Sequence, residues 1–379
     1  MTTEINPFIT ERPVGTEDIV DREAELEQLV SYAEAGHAVR LTAPRRYGKT
    51  TIAKRALDVV EHRAGLHTVY VDLYGVVTLE QVSLRIEDAY ERCLRGEIQR
   101  RVRSILRTMR PSASVGAPGV VGVQASATPG ETDAERRLLA MLDLPARTFE
   151  RDGVRTAIVF DEFQDVLSAG TGVDGLIRSR AQHHGECASY VFAGSHPSMM
   201  AALFDDRARP LYGFARPLTL RPLPAQALGD YVVQRFAAGG RDPGAALELL
   251  LDACAGHPQR AMLLAHHLWQ ATTRERPSDE QTWLVAVAAA LSELHESFQR
   301  GWDALTPNER RVLEIIATGQ PLTAQGTLGT HQIGKASALS SRDSLVASGE
   351  LTEPGAGSAR FTDPLYARWI AQGRRANGW

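Results

Sequence analysis

Short, continuous apolar runs alternate along the chain with longer stretches of helical spacing, the pattern of strands covered on both faces and separated by helices. Residues 39–41, 69–73, 156–162 and 189–195 read as such strands. Residues 52–61, 79–109 and 138–149 read as the intervening helices. Towards the end of the second helix Ile98, Val102, Ile105, Leu106 and Met109 share one face with arginines mostly elsewhere, until Pro111 stops it. The segment 112–131, rich in Ser, Ala, Gly, Pro and Val, is a long loop or weak hairpin inserted before the next helix.

Past Arg221-Pro222-Leu223-Pro224 the pattern turns helical, over 225–238, 245–255, 260–272 and 280–299, punctuated by Pro243, Gly244, Gly256, Pro258 and Pro277. A final region opens with Thr306-Pro307-Asn308-Glu309, a capping box that starts a helix through Ala317. A turn-rich stretch, a helix over 335–348 and a hairpin over 350–362 with Gly355 and Gly357 at its tip follow.

The chemistry gathers where the apolar runs end. Ala43-Pro44-Arg45-Arg46-Tyr47-Gly48-Lys49-Thr50-Thr51 joins the first strand to the first helix and follows the phosphate-loop pattern G-x-x-x-x-G-K-[ST], with Ala43 in place of the first glycine. Such a loop aims backbone N–H groups and a helix N-terminus at an anion; Lys49 can reach the β- and γ-phosphates and Thr50 can bind Mg²⁺. Alanine is excluded at the first position only if the backbone there is left-handed. The strand 156–162 ends in Asp161, suited to hold the metal through its water shell, and Glu162, placed to act on the attacking water. Ser195, followed by His196-Pro197, closes another strand where a γ-phosphate contact would sit, although a serine is also an ordinary strand-end residue.

These segments, together with Asn6-Pro7-Phe8, Asp21-Arg22-Glu23, Leu211-Tyr212-Gly213 and Gly256-His257-Pro258, resemble the archaeal-type ATPase family of the STAND branch of P-loop NTPases, related to the AAA+ origin-recognition ATPases. The resemblance runs from Asn6 to about Trp369 and is most specific at residues 44–50, Asp161-Glu162-Phe163-Gln164 and Phe192-Ala193-Gly194-Ser195. It implies a three-layer α/β core with a parallel sheet (1–222), a helical lid (223–300) and a C-terminal winged helix (301–379), with Asp363-Pro364-Leu365 and Trp369 as the family's ending. It also implies ATP and Mg²⁺ as ligands, and no Asn-Lys-x-Asp guanine motif speaks for GTP. By the same likeness Asp21-Arg22-Glu23 would lie near the adenine. Gly256-His257-Pro258 with Gln259 and Arg260 would bring the lid onto the nucleotide, Arg260 as a second sensor. Arg209 and Arg216 flank the segment where related ATPases place an arginine that reaches a neighbouring subunit, but Phe214 sits where several relatives have arginine.

Composition narrows the partners. A hydrophobic content of 43% permits a sizeable core. No run approaches a transmembrane helix, and residues 1–13 lack the basic start and apolar core of a signal peptide. Cys93, Cys187 and Cys254 form no metal-ligand spacing or disulfide framework, so the cytoplasm is the expected compartment and each thiol is expected to be a buried small hydrophobe. A net charge of −4 gives no general attraction to nucleic acid. Residues 301–379 carry eight Lys or Arg against seven Asp or Glu, so DNA contact would be local: Ser337, Ser340, Ser341 and Arg342 outward on the helix and Arg360 in the wing. Winged helices also dock proteins.

Two functions fit. In one, ATP binding and hydrolysis through Lys49, Asp161, Glu162 and Ser195 drive a slow switch that repositions the C-terminal domain to engage DNA or a protein, with a nucleotide-dependent homo-oligomer left open. In the other, the chain is a nucleotide-stabilised regulatory module with little or no hydrolysis.

Overall fold

The computed structural model describes residues 6–8, 19–93, 100, 132–355 and 358–376. The predicted insert 112–131, and the predicted helix beyond Cys93 apart from Arg100, lie outside the described residues. The four apolar runs become β1 (Ala38–Thr42), β2 (His67–Asp72), β3 (Thr156–Asp161) and β4 (Ala188–Gly194). A fifth strand, β5 (Arg216–Thr219), escapes the hydrophobic pattern because only Leu218 in it is buried. Its Pro217 is tolerated because the strand lies at the sheet edge.

These five strands pair in parallel throughout, in the order β2-β3-β4-β1-β5. This order positions the site. β4 lies between β1 and β3, in register Thr42↔Gly194 and Phe160↔Phe192, so the residue after β4 is carried between the loop after β1 and the acids ending β3. Every residue of β3 and β4 is buried, which is why both read as unbroken apolar runs.

Helices cover both faces. On one, α1 (Glu23–Glu34) and α2 (Lys49–Ala64) pack Leu29, Val30, Ile52 and Leu57 with Leu41, Val159 and Ala193 of the sheet. On the other, α3 (Leu79–Cys93), α4 (Asp133–Leu142), α5 (Leu144–Asp152), α6 (Val173–Ala181) and α7 (Pro197–Phe204) bury Ile158, Phe160, Tyr190 and Phe192. The single helix expected over 138–149 is two. Thr132 and Glu135 cap the first reciprocally, Asp143 ends it, and Pro145 starts the second, where its missing N–H is tolerated. Cys187 and Cys254 are buried as expected, but Cys93 is exposed, its Sγ accepting the Tyr70 N–H at 3.5 Å on the edge strand β2.

Beyond the sheet come α8 (Ala225–Ala238), α9 (Ala246–Cys254), α10 (Pro258–Ala271) and α11 (Glu280–Ala304). Then follow α12 (Pro307–Ala317), α13 (Gln325–Thr330) in the turn-rich stretch, α14 (Lys335–Ala347), the antiparallel hairpin β6 (Leu351–Gly355) and β7 (Ser358–Phe361), and α15 (Pro364–Ala376). The capping box at α12 forms: Thr306 Oγ1 accepts the Glu309 N–H at 3.3 Å and Glu309 Oε2 accepts the Thr306 N–H at 2.9 Å.

α11 runs past residue 300 and joins the helices before and after it into one apolar cluster that includes Trp269, Phe298, Leu345, Leu365 and Tyr366. Trp369 of α15 packs on Phe298, Trp302 and Tyr366. The N-terminal segment belongs to this cluster too, since Phe8 inserts among Tyr231, Phe236 and Trp269 and the Asn6 amide donates to the His266 carbonyl at 3.1 Å. No helix of the described residues is long and apolar enough to cross a membrane.

Phe8 is 1% exposed, so Phe8→Ala should remove about 3 kcal/mol of stability through lost burial and the cavity left behind. Urea unfolding followed by tryptophan fluorescence reads this, Trp269 being in contact; a loss below about 1 kcal/mol would show that the segment is not part of the core.

Candidate nucleotide-binding site

The loop between β1 and α2 turns on two left-handed residues, Gly48 at φ +84° and Arg46 at φ +67°. Gly48 adopts its conformation without steric cost, whereas Arg46 is strained there. Ala43 is buried and has no left-handed backbone, which explains why the first glycine of the motif is dispensable here. The first intrahelical bond of α2 runs from the Ile52 N–H to the Gly48 carbonyl at 3.0 Å. The N–H groups of Lys49, Thr50 and Thr51 therefore remain at the positive end of a 16-residue helix.

Asp161, 2% exposed, sits against that helix start and accepts four hydrogen bonds. Its Oδ1 takes Lys49 Nζ and the Glu162 N–H, each at 2.9 Å; its Oδ2 takes Thr50 Oγ1 at 2.6 Å and the Tyr70 hydroxyl at 2.7 Å. Burial pushes the Asp161 carboxyl up, but the Lys49 ammonium and the hydroxyls of Thr50 and Tyr70 outweigh it and hold the group below the usual aspartate range. Burial, then the Asp161 charge, drives the Tyr70 phenol far up, so it stays a donor.

Glu162 leaves β3 in a left-handed conformation, φ +50°. Its Oε2 accepts Ser195 Oγ at 2.5 Å and Gln164 Nε2 at 2.8 Å, while Oε1 faces Lys49 Nζ at 3.4 Å. Burial raises this carboxyl too, and Lys49, Ser195 and Gln164 bring it below the ordinary glutamate range. Two carboxylates against one ammonium leave a net negative charge beside the Thr50 hydroxyl, a set of hard oxygen donors that fits Mg²⁺.

Thus Lys49, Thr50, Asp161, Glu162 and Ser195 meet in one network, and the sequence reading missed two members. Tyr70 could have been found from strand parity, since Val69 and Val71 pack on the α3 side and Tyr70 must face α2, where Lys54 lies 4.5 Å over its ring. Gln164 stands in a segment already singled out, but no periodicity shows that its side chain turns inward.

Arg260 is not a surface residue. It is 1% exposed, its Nε lies 2.9 and 3.0 Å from the two carboxylate oxygens of Asp363, and its Nη2 also binds that carboxylate. Among the described residues its Nη1 has no hydrogen-bond partner. It is close enough to the phosphate loop that, after burial, its charge is the main force lowering Arg46. Next to it His257 caps α10 by accepting the Arg260 N–H at 3.3 Å, and its ring meets that of Tyr47 at 4.8 Å. Burial brings His257 down to about 4, so the imidazole is neutral at this contact.

Arg22 is buried where the sheet meets the helices, donating to the Arg221 carbonyl at 2.6 Å and to Glu25 at 2.9 Å. Arg209 pairs with buried Asp174 at 3.4 Å, and Arg216 lies over the Tyr32 ring at 5.3 Å, so both are engaged within the chain.

Neither a family model nor a curated protein sequence matches the chain. Solved structures do. The chain is similar to a Walker-type ATPase of Pyrococcus abyssi at 16% identity and a TM-score of 0.63, over 96% of this chain and 99% of that one. It is similar to the Aeropyrum pernix ORC2 protein, solved as ADPNP-ADP complexes, at 16% identity and a TM-score of 0.61, over 98% and 99%. It also resembles the Aeropyrum pernix ORC1 protein in complex with DNA, at 16% identity and a TM-score of 0.50, over 97% and 95%. These likenesses show the fold: a mixed α/β chain built on the five-stranded parallel sheet of a P-loop ATPase core.

Asp363→Ala leaves the buried Arg260 guanidinium without its carboxylate and should cost about 3 kcal/mol, part of which Arg260→Met in the same chain recovers. Urea unfolding of the two single variants and the double variant checks this; additive losses would contradict the pairing.

Proposed function

We propose that this chain binds ATP with Mg²⁺ and hydrolyses it slowly, as a switch that repositions a C-terminal winged helix. The observation that carries this is the single hydrogen-bonded cluster of Lys49, Thr50, Asp161, Glu162 and Ser195 at the ends of β1, β3 and β4. The naming of one similar structure as a Walker-type ATPase, and of another as ADPNP-ADP complexes, supports the nucleotide class.

In this reading the loop 43–51 cradles the phosphates with its N–H groups, and Thr50 and Asp161 hold the metal. When bound, Mg²⁺ neutralises charge on the phosphate oxygens. Lys49 exchanges its two carboxylate partners for the β- and γ-phosphates. Once Lys49 moves, Glu162 Oε1 is released to take the proton of the attacking water, while Oε2 stays on Ser195 and Gln164. Ser195, fixed between loop and acid by the strand order, keeps its hydroxyl proton on Glu162 Oε2 and offers its Oγ lone pair to the attacking water beside the terminal phosphate. Arg260, with Nη1 available, is the second sensor. The internal engagement of Arg209 and Arg216 fits slow turnover, and also favours the second reading, a nucleotide-stabilised regulatory module with little or no hydrolysis.

The switch reading divides the chain into an ATPase core (1–222), a helical lid (223–300) and the winged helix (301–379), in the STAND branch of the AAA+-related ATPases and in the cytoplasm. Its support is the way the last region abuts the site. α14 packs on α7, and a Cβ placed on Gly349 comes within 3.4 Å of His196 Nδ1, next to Ser195. Glu350, raised by burial and by Asp363, feels the opposing charge of Arg45 in the phosphate loop. Movement of the loop on binding phosphate is thereby transmitted to the hairpin.

Two experiments test this. Lys49→Ala should weaken ATP binding at least about tenfold, as expected for losing charged hydrogen bonds. Glu162→Gln should bind ATP but release phosphate roughly a hundredfold more slowly. Unchanged binding in the first removes the site assignment; unchanged phosphate release in the second removes the catalytic role.

The partner is DNA or protein, and the arginines separate the two. Arg342 is held by Asp343 at 2.6 Å and Glu353 at 3.5 Å, while Arg360 is exposed on β7. If DNA is the partner, Arg360→Ala lowers the salt slope of binding by about one and Arg342→Ala leaves it nearly unchanged. Absence of salt-dependent DNA affinity in the native chain assigns the surface to a protein.

A further inference from the structure

We infer that Gln164 is the positioning residue that fixes Glu162 against Ser195 and selects which glutamate oxygen acts on water. The inference rests on the ATPase reading above and gives a role to Gln164, which that reading names only as a partner of Glu162.

Gln164 follows β3 in a 3-10 turn (Phe163–Ser168) and is 1% exposed. Its amide is fully used. Nε2 donates to Glu162 Oε2 at 2.8 Å and to Asp165 Oδ1 at 3.1 Å, and Oε1 accepts the Ser195 N–H at 3.2 Å. The orientation is forced by chemistry, because a flipped amide would set its oxygen against two carboxylates and its NH₂ against a backbone donor. Room for the group is also built in. A Cβ on Gly194 would lie 2.9 Å from Gln164 Oε1 and 2.4 Å from the Met200 side chain, so β4 ends in glycine where this amide crosses it.

The consequence falls on Glu162. A left-handed glutamate is strained and persists only where its surroundings hold it. Gln164 and Ser195 both grip Oε2, leaving Oε1 as the oxygen that faces Lys49. Asp165 extends the tie, since its Oδ2 accepts the Gly75 N–H at 2.7 Å, and the ends of β2, β3 and β4 are thereby joined. The amide bonds Glu162, Asp165 and the Ser195 backbone, and neither Lys49 nor Asp161 is among its hydrogen-bond partners. Gln164 therefore acts through Glu162 and Ser195, not on the nucleotide.

The test uses the full chain with Gln164→Leu, which removes the amide at similar size, and Gln164→Glu, which keeps an acceptor for Ser195 but not the donor to Glu162. Steady-state phosphate release and the affinity of a fluorescent ATP analogue with Mg²⁺ are measured for each. A misplaced base predicts kcat down roughly 10- to 100-fold with KM and analogue affinity within about twofold of native. Unchanged kcat, or parallel loss of kcat and affinity, overturns the positioning role. If the native chain itself releases no phosphate, the ATPase reading fails, and Gln164 is judged by thermal melts of Gln164→Leu, Glu162→Ala and the double variant. A double-variant Tm closer to the single variants than additivity gives retains the tie between the two side chains, and additive shifts overturn it.

Discussion

The carboxylate of Asp161 is the constraint around which the site is arranged. A charge at the end of a strand whose every residue is buried is tolerated only if it is fully solvated by the protein. Here four donors do this, drawn from the start of α2, from β2 and from the backbone beside it. Removing Asp161 from the sequence would leave buried Lys49 with only the 3.4 Å contact to Glu162 and take the acceptor from the half-buried Tyr70 hydroxyl. The same ion pair that makes the carboxylate stable also makes it exchangeable, because phosphate oxygens offer Lys49 an equivalent partner. A stability requirement of the fold and the expected response to nucleotide are therefore one interaction.

Strand order turns that local requirement into a site. With β4 between β1 and β3, Ser195 arrives between loop and acid without any special loop chemistry, and the Gly194 backbone is small enough to let Gln164 cross beneath it. On the other side, Arg260 and Asp363 join α10 to the segment between the hairpin and α15, with Tyr47 and His257 in contact alongside. The helices after the sheet share one apolar cluster from Phe8 to Ile370.

Much of this was legible in the sequence for a physical reason. Strands covered on both faces carry uninterrupted apolar runs, so β3 and β4 and the polar residues that end them stand out, and Gly48-Lys49-Thr50 is constrained by backbone geometry as well as chemistry. β5 was hidden because an edge strand needs little hydrophobicity, and the break at Asp143 because local spacing continues across it. Tyr70, Gln164 and the Arg260–Asp363 pair depend on which side chains turn inward and on contacts between distant segments. The pairing of Arg260 with Asp363 in particular lies beyond what spacing can show, the two being 103 residues apart in sequence.

The most direct measurement is a crystal structure with a non-hydrolysable ATP analogue and Mg²⁺. The triphosphate is expected in the loop 43–51, with Lys49 Nζ moved from Asp161 and Glu162 to phosphate oxygens and Glu162 Oε2 still held by Ser195 and Gln164. A nucleotide bound elsewhere, or bound in the loop with Lys49 still paired to Asp161, would contradict this.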